Sequence, residues 1–367
     1  MKQLRNIISG IVLLLSFVAL SASAQELAVK DTINQKANEV DVKGIVFGHI
    51  GDSYEWHITT IGQTSIRIPL PVIVYSGTSG LHVFLSSAFE ENGGVYEGFS
   101  LAPTGTKYEG KIVEKNAAGE DVRPIDLSIT KVTLSLFINC AILLIIILGV
   151  AHWYRKREQG ASAPGGFVGF MEMFIMMVHD DVIKSCVGPN YKKFAPYLLT
   201  AFFFIFINNI MGLIPIFPGG VNVTGNIAIT MVLSFCTFLA VNLFGTRTYW
   251  KDIFWPDVPW WLKVPIPMMP FIEFFGVFTK PFALMIRLFA NMLSGHMAML
   301  VLTSLVFISA SMGTALNGAL TVASVFFNIF MNILELLVAF IQAYVFTMLS
   351  AVFIGLAQEK KREEIEV

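Results

Sequence analysis

The chain has 367 residues, of which 55% are hydrophobic and only 14% are charged, and its formal net charge is −1. Soluble domains carry about 25% charged residues, so this composition excludes an ordinary soluble protein and indicates a chain surrounded largely by lipid. The near-zero net charge provides no basic field for nucleic acid, and we expect no nucleic-acid partner. Cys140, Cys186 and Cys236 lack the spacing of a zinc site or a disulfide framework, and we predict no metal and no cofactor.

Residues 1–24 have the pattern of a signal peptide. Lys2 and Arg5 are basic, an apolar run covers Ile11 to Leu20, and small residues end at Ala24. The alternative is an uncleaved first membrane helix, but the apolar run is short beside the roughly 20 residues that a span needs. In either case the segment that follows is exported.

Residues 25–125 predict a small β-rich exported domain, because Gly, Pro, Ser and Thr separate short apolar runs. The predicted strands are Ile66–Leu70, Pro71–Tyr75, Leu81–Leu85, Val95–Ser100 and Lys107–Val113. A metal site could be read into His49, Asp52, Glu55 and His57, or into His179, Asp180 and Asp181. We favour solvated polar residues at both places, because nothing in the sequence fixes a ligand geometry.

Membrane spans begin with Ser128–Val150, which ends in the aromatic and basic run Trp153–Arg157. Aromatic residues followed by positive charge mark the cytoplasmic side of a membrane. Phe167–Val187 is less apolar and predicts an amphipathic helix on the inner face. Pro196–Phe217 then crosses outward and Asn226–Phe244 crosses back.

The last two apolar stretches, Phe271–Ala310 and Ala319–Ala357, are each about 40 residues long. As helices they measure close to 60 Å, against about 30 Å of hydrocarbon. We predict two long, steeply tilted helices in preference to two helical hairpins. The predicted fold is therefore an all-α polytopic membrane protein with five transmembrane helices at 126–357, an inner-face amphipathic helix, the exported domain and a cytoplasmic tail at 358–367.

Ionisable residues inside these spans are costly in lipid and are candidates for function. A helical wheel at 100° per residue places two polar stripes, one on each long helix. The first stripe contains Glu273, Lys280, Arg287, Asn291 and Ser294, and the second contains Asn328, Glu335 and Gln342. His296 lies about 180° from Arg287, so we expect it in a different environment.

Two interpretations of these residues compete. A structural one pairs Arg287 with Glu335 in a buried salt bridge, but it leaves the other polar residues unexplained. A functional one is a proton path, in which Glu and His exchange protons while Asn and Gln order water. Arg287 cannot lose its proton. It would therefore act as a fixed cation, which lowers the pKa of a carboxylate brought within about 4–6 Å and blocks leakage.

Four segments resemble motifs of subunit a of F-type ATP synthases. Lys280–His296 resembles K-P-x(5)-R-L-[FA]-[GA]-N-x(3)-[GA], and Glu335–Phe346 resembles E-x(6)-Q-A-[YF]-[VI]-F. Asn208–Pro215 and Thr224–Thr230 are similar to two further family segments. The resemblance covers residues 125–357 approximately, and four ordered motifs make it specific.

The resemblance implies a role for six residues. Arg287 matches the essential arginine that faces the carboxylates of the rotating c-ring, and Gln342 matches the glutamine opposite it. The outward half-channel would contain His296, Glu335 and Asn291, and Glu273 would belong to the cytoplasmic half-channel. Implied partners are the c-ring, the peripheral stalk b subunits, the catalytic head indirectly, and the lipid of a bacterial inner membrane.

The positive charges beside the spans, together with the signal peptide, predict a periplasmic N-terminal domain and a cytoplasmic C-terminus. The chain departs from the family in two respects. The exported domain is larger than the N-terminus of the best-known members. Asn209 and Gly212 stand where some members carry an acidic group.

Two other function classes fit the composition less well. A secondary transporter would have internal repeats and broken helices in two halves, and no repeat is visible. A receptor would use the membrane part as a passive anchor, which the intramembrane charges argue against. The chain has no Gly-rich nucleotide-binding loop, so we expect no catalytic site for phosphoryl chemistry in it.

Overall fold

The structure, a computed structural model, describes residues 51–61, 64–103, 105–116, 119–157, 164–255, 268–309 and 314–358. The predicted signal peptide, His49 and residues 359–367 of the predicted tail lie outside this range. The chain forms two compact units. The first contains the described residues up to Ile138 with Gly212–Val221 and Met297–Asn332, and the second contains Asn139–Met211, Asn222–His296 and the residues from Ile333 onward.

The N-terminal domain, which the sequence predicts to be exported and which we call the exported domain below, belongs to the first unit. Its described residues form nine short strands and one helical turn. The strands are β1 Glu55–Ile61, β2 Thr64–Pro69, β3 Pro71–Ser76, β4 Gly80–Leu85, β5 Val95–Tyr96, β6 Phe99–Leu101, β7 Ile112–Lys115, β8 Asp121–Val122 and β9 Ile125–Asp126, with α1 at Ser87–Glu91. They form antiparallel sheets in the orders β1-β2, β4-β3-β9 and β5-β6-β7-β8. The prediction of a β-rich domain is confirmed.

The core of this domain comes from alternation along its strands. Val72 and Val74 of β3 are fully buried, whereas the neighbouring Tyr75 is exposed, as expected when successive side chains point to opposite faces. The two valines pack with Tyr54, Phe89, Phe99 and Ile112. The Tyr54 hydroxyl donates to Asp126 Oδ2 over 2.5 Å, which ties β9 to the core.

Two strand predictions need correction. Val95–Ser100 is not one strand but a hairpin of β5 and β6, because Glu97 and Gly98 turn the chain with φ of 49° and 84°. The predicted Lys107–Val113 overlaps β7 only at its end, since a turn in which Lys111 N bonds to Tyr108 O precedes the strand. The sequence predicts no strand at the positions of β1, β8 and β9.

The exported domain joins its membrane helix without a free linker. Ile129 N donates to Pro71 O, and Lys131 N donates to Ser53 O over 2.8 Å. The helix α2 therefore begins at Lys131 and runs to Arg155, a few residues later than predicted. Most of its middle is exposed on the free chain, as a lipid-facing span requires.

In the second unit, the predicted amphipathic helix does not stand alone. It consists of α3 Gly166–Met176, a π-helical segment Met177–Lys184 and a helical turn Ser185–Val187. A 3₁₀ turn at Gly188–Asn190 connects it to α4 Tyr191–Leu213. Its buried residues pack into the core of the unit, so protein covers its apolar side; these are Val178, Val182, Ile183 and Val187.

The next crossing is short and bent. Helix α5 covers Ile227–Leu243 and begins at Asn226, whose side chain accepts from Ala228 N. Helix α6, Arg247–Phe254, follows at an angle of 99° to it. By length and hydropathy four described helices could each span a membrane, and five if this bent pair counts as one. The predicted five crossings correspond to the larger number.

The two long apolar stretches are single helices and not hairpins. Helix α7 covers Met268–Ser309, 42 residues, and α8 covers Thr314–Gln358, 45 residues. At about 1.5 Å per residue each exceeds 60 Å. In the second unit both pack on α4 around one core, whose members include Leu198, Phe202, Leu284, Leu288, Ala343 and Ile354.

Candidate ion-conducting site

A buried acid–base pair joins the two long helices in the second unit. His296 Nδ1 of α7 lies 2.6 Å from Glu335 Oε1 of α8, and their side chains are 11% and 3% exposed. The two residues are 39 positions apart in the sequence, and only the packing of α7 on α8 brings them together. His296 thus lies in a different environment from Arg287, as the helical wheel predicts.

The carboxylate of Glu335 has acceptor capacity that the described residues leave unused. Neither of its oxygens receives a hydrogen bond of ordinary geometry from them, although His296 is within ion-pair distance. The contact between His296 Nδ1 and Glu335 Oε1 is short but lacks hydrogen-bond geometry. Nδ1 also lies 3.2 Å from the Met292 carbonyl oxygen. A buried carboxylate is costly unless a proton, water or cation satisfies it. The pair thus places an ionisable acid next to an ionisable base in the interior of the unit.

Gly295 provides the space for this carboxylate. A methyl group at Gly295 would lie 2.8 Å from Glu335 Oε1 and 2.9 Å from its Cδ. Any larger residue would press on the acid. Gly295 is the last position of the quoted motif, but sequence reasoning gave it no role.

An asparagine from the loop before α5 supports the same turn of α7. Asn222 Nδ2 donates to the Met292 carbonyl over 2.9 Å, the same oxygen that lies near His296 Nδ1. Its Oδ1 accepts from Gly225 N over 2.7 Å, which fixes the amide. Sequence reasoning missed Asn222, and its one weak signal was its place two residues before the Thr224–Thr230 motif.

A second buried amide connects α4 with α8. Asn209 Oδ1 accepts from the Thr224 hydroxyl over 2.6 Å, and its Nδ2 donates to the Ala339 carbonyl over 3.2 Å. Asn209 is 1% exposed. Where some family members carry an acid, this chain therefore has a neutral amide with both ends bonded.

The two polar stripes have different surroundings. Glu335 and Gln342 of α8 are buried, at 4% and 8% exposure, whereas Arg287 of α7 is exposed on the free chain. Three other members of the α7 stripe are also exposed, namely Lys280, Asn291 and Ser294, whereas Glu273 is half-buried. The α8 stripe thus faces the interior of the chain and the α7 stripe faces outward.

Arg287 is not the partner of Glu335. Among the described residues no ion pair or hydrogen bond involves the Arg287 guanidinium, while the carboxylate of Glu335 lies against His296. The structural salt bridge considered from the sequence is therefore absent from the described part of the chain. The cation remains available to a group that another molecule provides.

Long apolar helices, a buried acid–base pair between them and an exposed guanidinium on a helix longer than a membrane is thick define a polytopic ion-conducting membrane protein. The comparisons with known proteins make this more specific. The family described as ATP synthase A chain matches residues 134–355, and a family described as a domain of unknown function matches residues 45–128. The chain belongs to the ATP synthase A chain family.

Several proteins named ATP synthase subunit a are similar in sequence to most of this chain. The ATP synthase subunit a of Chlorobium phaeobacteroides is 42% identical over 239 residues, which cover 63% of this chain and 66% of the relative. That of Pelodictyon phaeoclathratiforme is 40% identical over 273 residues, 72% of this chain and 74% of the relative. That of Myxococcus xanthus is 38% identical over 239 residues, 64% of this chain and 74% of the relative.

Proposed function

We propose that this chain is the proton-translocating subunit a of an F-type ATP synthase. The observation that carries the proposal is the buried His296–Glu335 pair on the same two helices that present an exposed Arg287 and a buried Gln342. Membership of the ATP synthase A chain family supports it. The subunit is not itself catalytic, and ATP chemistry belongs to other subunits of the complex.

The outer half-channel contains His296, Glu335 and Asn291. A proton from the periplasm is passed between the imidazole and the carboxylate, whose Nδ1 and Oε1 atoms lie 2.6 Å apart. Asn291, exposed one turn after Arg287, orders water on the route out of the chain. The proton then neutralises a carboxylate of the c-ring.

Arg287 and Gln342 act where the ring carboxylate loses its proton. The guanidinium stays charged at any physiological pH, so it holds a facing carboxylate ionised and prevents direct passage between the half-channels. Glu273, half-buried near the other end of α7, accepts the released proton on the cytoplasmic side. Each charge moved through the field provides about 2.3 kcal/mol per 100 mV for rotation.

The topology proposed with this function has five crossings, a periplasmic exported domain and a cytoplasmic C-terminus. The composition of the first unit supports it, because it groups the exported domain with Gly212–Val221 and with Met297–Asn332, where α7 ends and α8 begins, and this topology puts all three toward the outer side. Helices above 60 Å then need a steep tilt to remain in a layer about 30 Å thick. In the bacterial inner membrane the chain contacts the c-ring through the α7 stripe, and the b subunits of the peripheral stalk hold it as part of the stator.

The test is acid-driven ATP synthesis in inverted membrane vesicles, comparing wild type with Arg287→Ala at matched assembly of the complex. We expect the variant to lose coupled synthesis, because the ring carboxylate no longer meets a fixed cation. Passive proton flow through the membrane sector should persist or rise, since the barrier between the half-channels is removed. Synthesis at the wild-type rate would make Arg287 a structural cation and reject the proposal.

A further inference from the structure

Trp56 in the exported domain is buried without belonging to the domain's own core. Its exposure is only 4%, yet the described core consists of Tyr54, Val72, Val74, Phe89, Phe99 and Ile112, with Phe84 and Tyr96 against it. A large indole buried away from the core needs another cover. That cover includes Phe217, whose ring centroid is 5.0 Å from the indole at an interplanar angle of 64°.

Phe217 belongs to the loop between α4 and α5. Gly212–Val221 falls in the same compact unit as the exported domain, although both helices that it connects fall in the other unit. The loop is thus grouped with the exported domain and with Met297–Asn332, apart from the two helices that it connects. The rings of Trp56 and Phe217 form a direct contact between the exported domain and this loop.

The strand that carries Trp56 is firmly held. Just before it, Ser53 O accepts from Lys131 N, and Asp52 Oδ1 accepts from Val132 N over 3.1 Å at the start of α2. Tyr54 O accepts from Leu70 N at the end of β2. Trp56 is therefore fixed to the membrane helix α2 within a few residues.

The loop itself is short and hydrogen-bonded. Gly219 N donates to Ile216 O over 2.7 Å, and Gly220 has a φ of 79°, a conformation that favours glycine. Five residues after Phe217 the chain reaches Asn222, which holds the Met292 carbonyl next to His296. Phe217 is thus only five residues before Asn222, in a loop that has its own backbone hydrogen bond.

We propose that the exported domain braces the α4–α5 loop through Trp56, and that Asn222, at the end of this loop, is a positioning residue for His296. The inference rests on the proposed function, because it concerns the same proton path. It gives the domain at 45–128 a structural role, which is to keep one polar contact of the outer half-channel in place.

The experiment measures proton flow through the membrane sector in vesicles from which the catalytic head has been removed, at matched amounts of full-length subunit. The single variants are Trp56→Ala, Trp56→Phe and Asn222→Ala, and the double variant combines Trp56→Ala with Asn222→Ala. Leu81→Ala is the control. Leu81 is 63% exposed on β4 of the same domain. Phe217→Ala removes the same ring contact from the loop side if Trp56→Ala does not assemble.

We expect Trp56→Ala and Phe217→Ala to lower the flux roughly 2- to 12-fold, the factor that corresponds to the worth of one aromatic pair. Trp56→Phe should restore most of the flux, and Leu81→Ala should leave it unchanged. The double variant should be no slower than Asn222→Ala, because both changes act on one restraint.

Two results would overturn the brace. One is wild-type flux in assembled Trp56→Ala or Phe217→Ala, and the other is a double variant whose loss is the product of the two single losses. Arg287→Ala separates this failure from failure of the proposed function. If Arg287→Ala abolishes coupled synthesis while the Trp56 variants are normal, only the brace is rejected; if it does not, the proton path itself is rejected.

Discussion

Gly295→Ala tests whether the position of the Glu335 carboxylate matters for proton transfer. The added methyl group would lie 2.8 Å from Oε1, 2.9 Å from Cδ and 3.3 Å from Oε2, where ordinary contacts begin near 3.4 Å. The carboxylate or the helix must therefore give way by about half an ångström. The three close atoms all belong to the end of one side chain, so the carboxylate can move while the helices stay.

The energies favour a folded but impaired subunit. Forcing an extra methyl group into a packed interior costs typically about 1–3 kcal/mol. Alanine in place of glycine inside a helix returns about 1 kcal/mol. The net cost to folding is then about 0–2 kcal/mol, which an assembled complex tolerates. The displacement is large beside the 2.6 Å approach of Glu335 to His296, so proton transfer should suffer more than folding.

The assay compares subunit content of the membranes by immunoblot with proton flow through the membrane sector. Gly149→Ala in α2 is the matched control, because a methyl group there meets nothing within 4 Å. We expect near-normal content for both variants and at least a tenfold loss of flux for Gly295→Ala alone, the ratio that corresponds to 1.4 kcal/mol on the barrier at about 25 °C. Full flux in Gly295→Ala at full content would refute the reasoning.

Two further changes probe the fold around the site. A methyl group at Gly355 of α8 would clash with the backbone carbonyl of Cys186, which cannot swing aside as a side chain can, so Gly355→Ala should sharply reduce the subunit in membranes; wild-type content would contradict this. In the exported domain, burial acts to raise the pKa of Asp126, but hydrogen bonds from Ser128 and the Tyr54 hydroxyl outweigh it and hold the pKa below its ordinary value of 3.8. A carboxyl group whose pKa is lower in the folded domain stabilises the domain at pH values above its ordinary pKa, and this stabilisation is lost as the pH falls through the lowered pKa. Pepsin cleavage of the domain in the full chain should therefore accelerate below pH 3.8 in wild type but show no such step in Asp126→Asn. Identical pH curves for the two proteins would refute this prediction.

The hydrophobic periodicity and the length of the apolar segments are sufficient to predict the helical part of the fold. Phe271–Ala310 predicts a helix and α7 is Met268–Ser309, because a long apolar run without a polar turn has no other way to satisfy its backbone in lipid. The start of α5 at Asn226 follows from capping, since its side chain accepts a backbone hydrogen bond. These features depend on neighbours in sequence and can therefore be read from it.

The exported domain was harder to predict because its strands are short and its turns decide them. Positive φ at Glu97 and Gly98 splits one predicted strand into two. Strand β1 contains Glu55 and His57, two of the polar residues that suggested a metal site, and its hydrophobic pattern is too brief to identify a strand. The contact of Trp56 with Phe217 joins residues 161 positions apart, and no periodicity reports such a pair.

The candidate site also combines features that the sequence predicts with features that only the structure shows. The helical wheel places His296 and Arg287 on opposite sides of α7, and it cannot say which of them meets Glu335. The structure assigns the neutralisable base to the interior and leaves the permanent cation at the surface. This is the arrangement that proton transfer requires. A guanidinium beside Glu335 could not exchange a proton with the acid, whereas imidazole can. An exposed guanidinium on a helix in lipid is costly unless an anion faces it. In the proposed function this anion is a carboxylate of the c-ring, so the residue that completes the site would come from another chain.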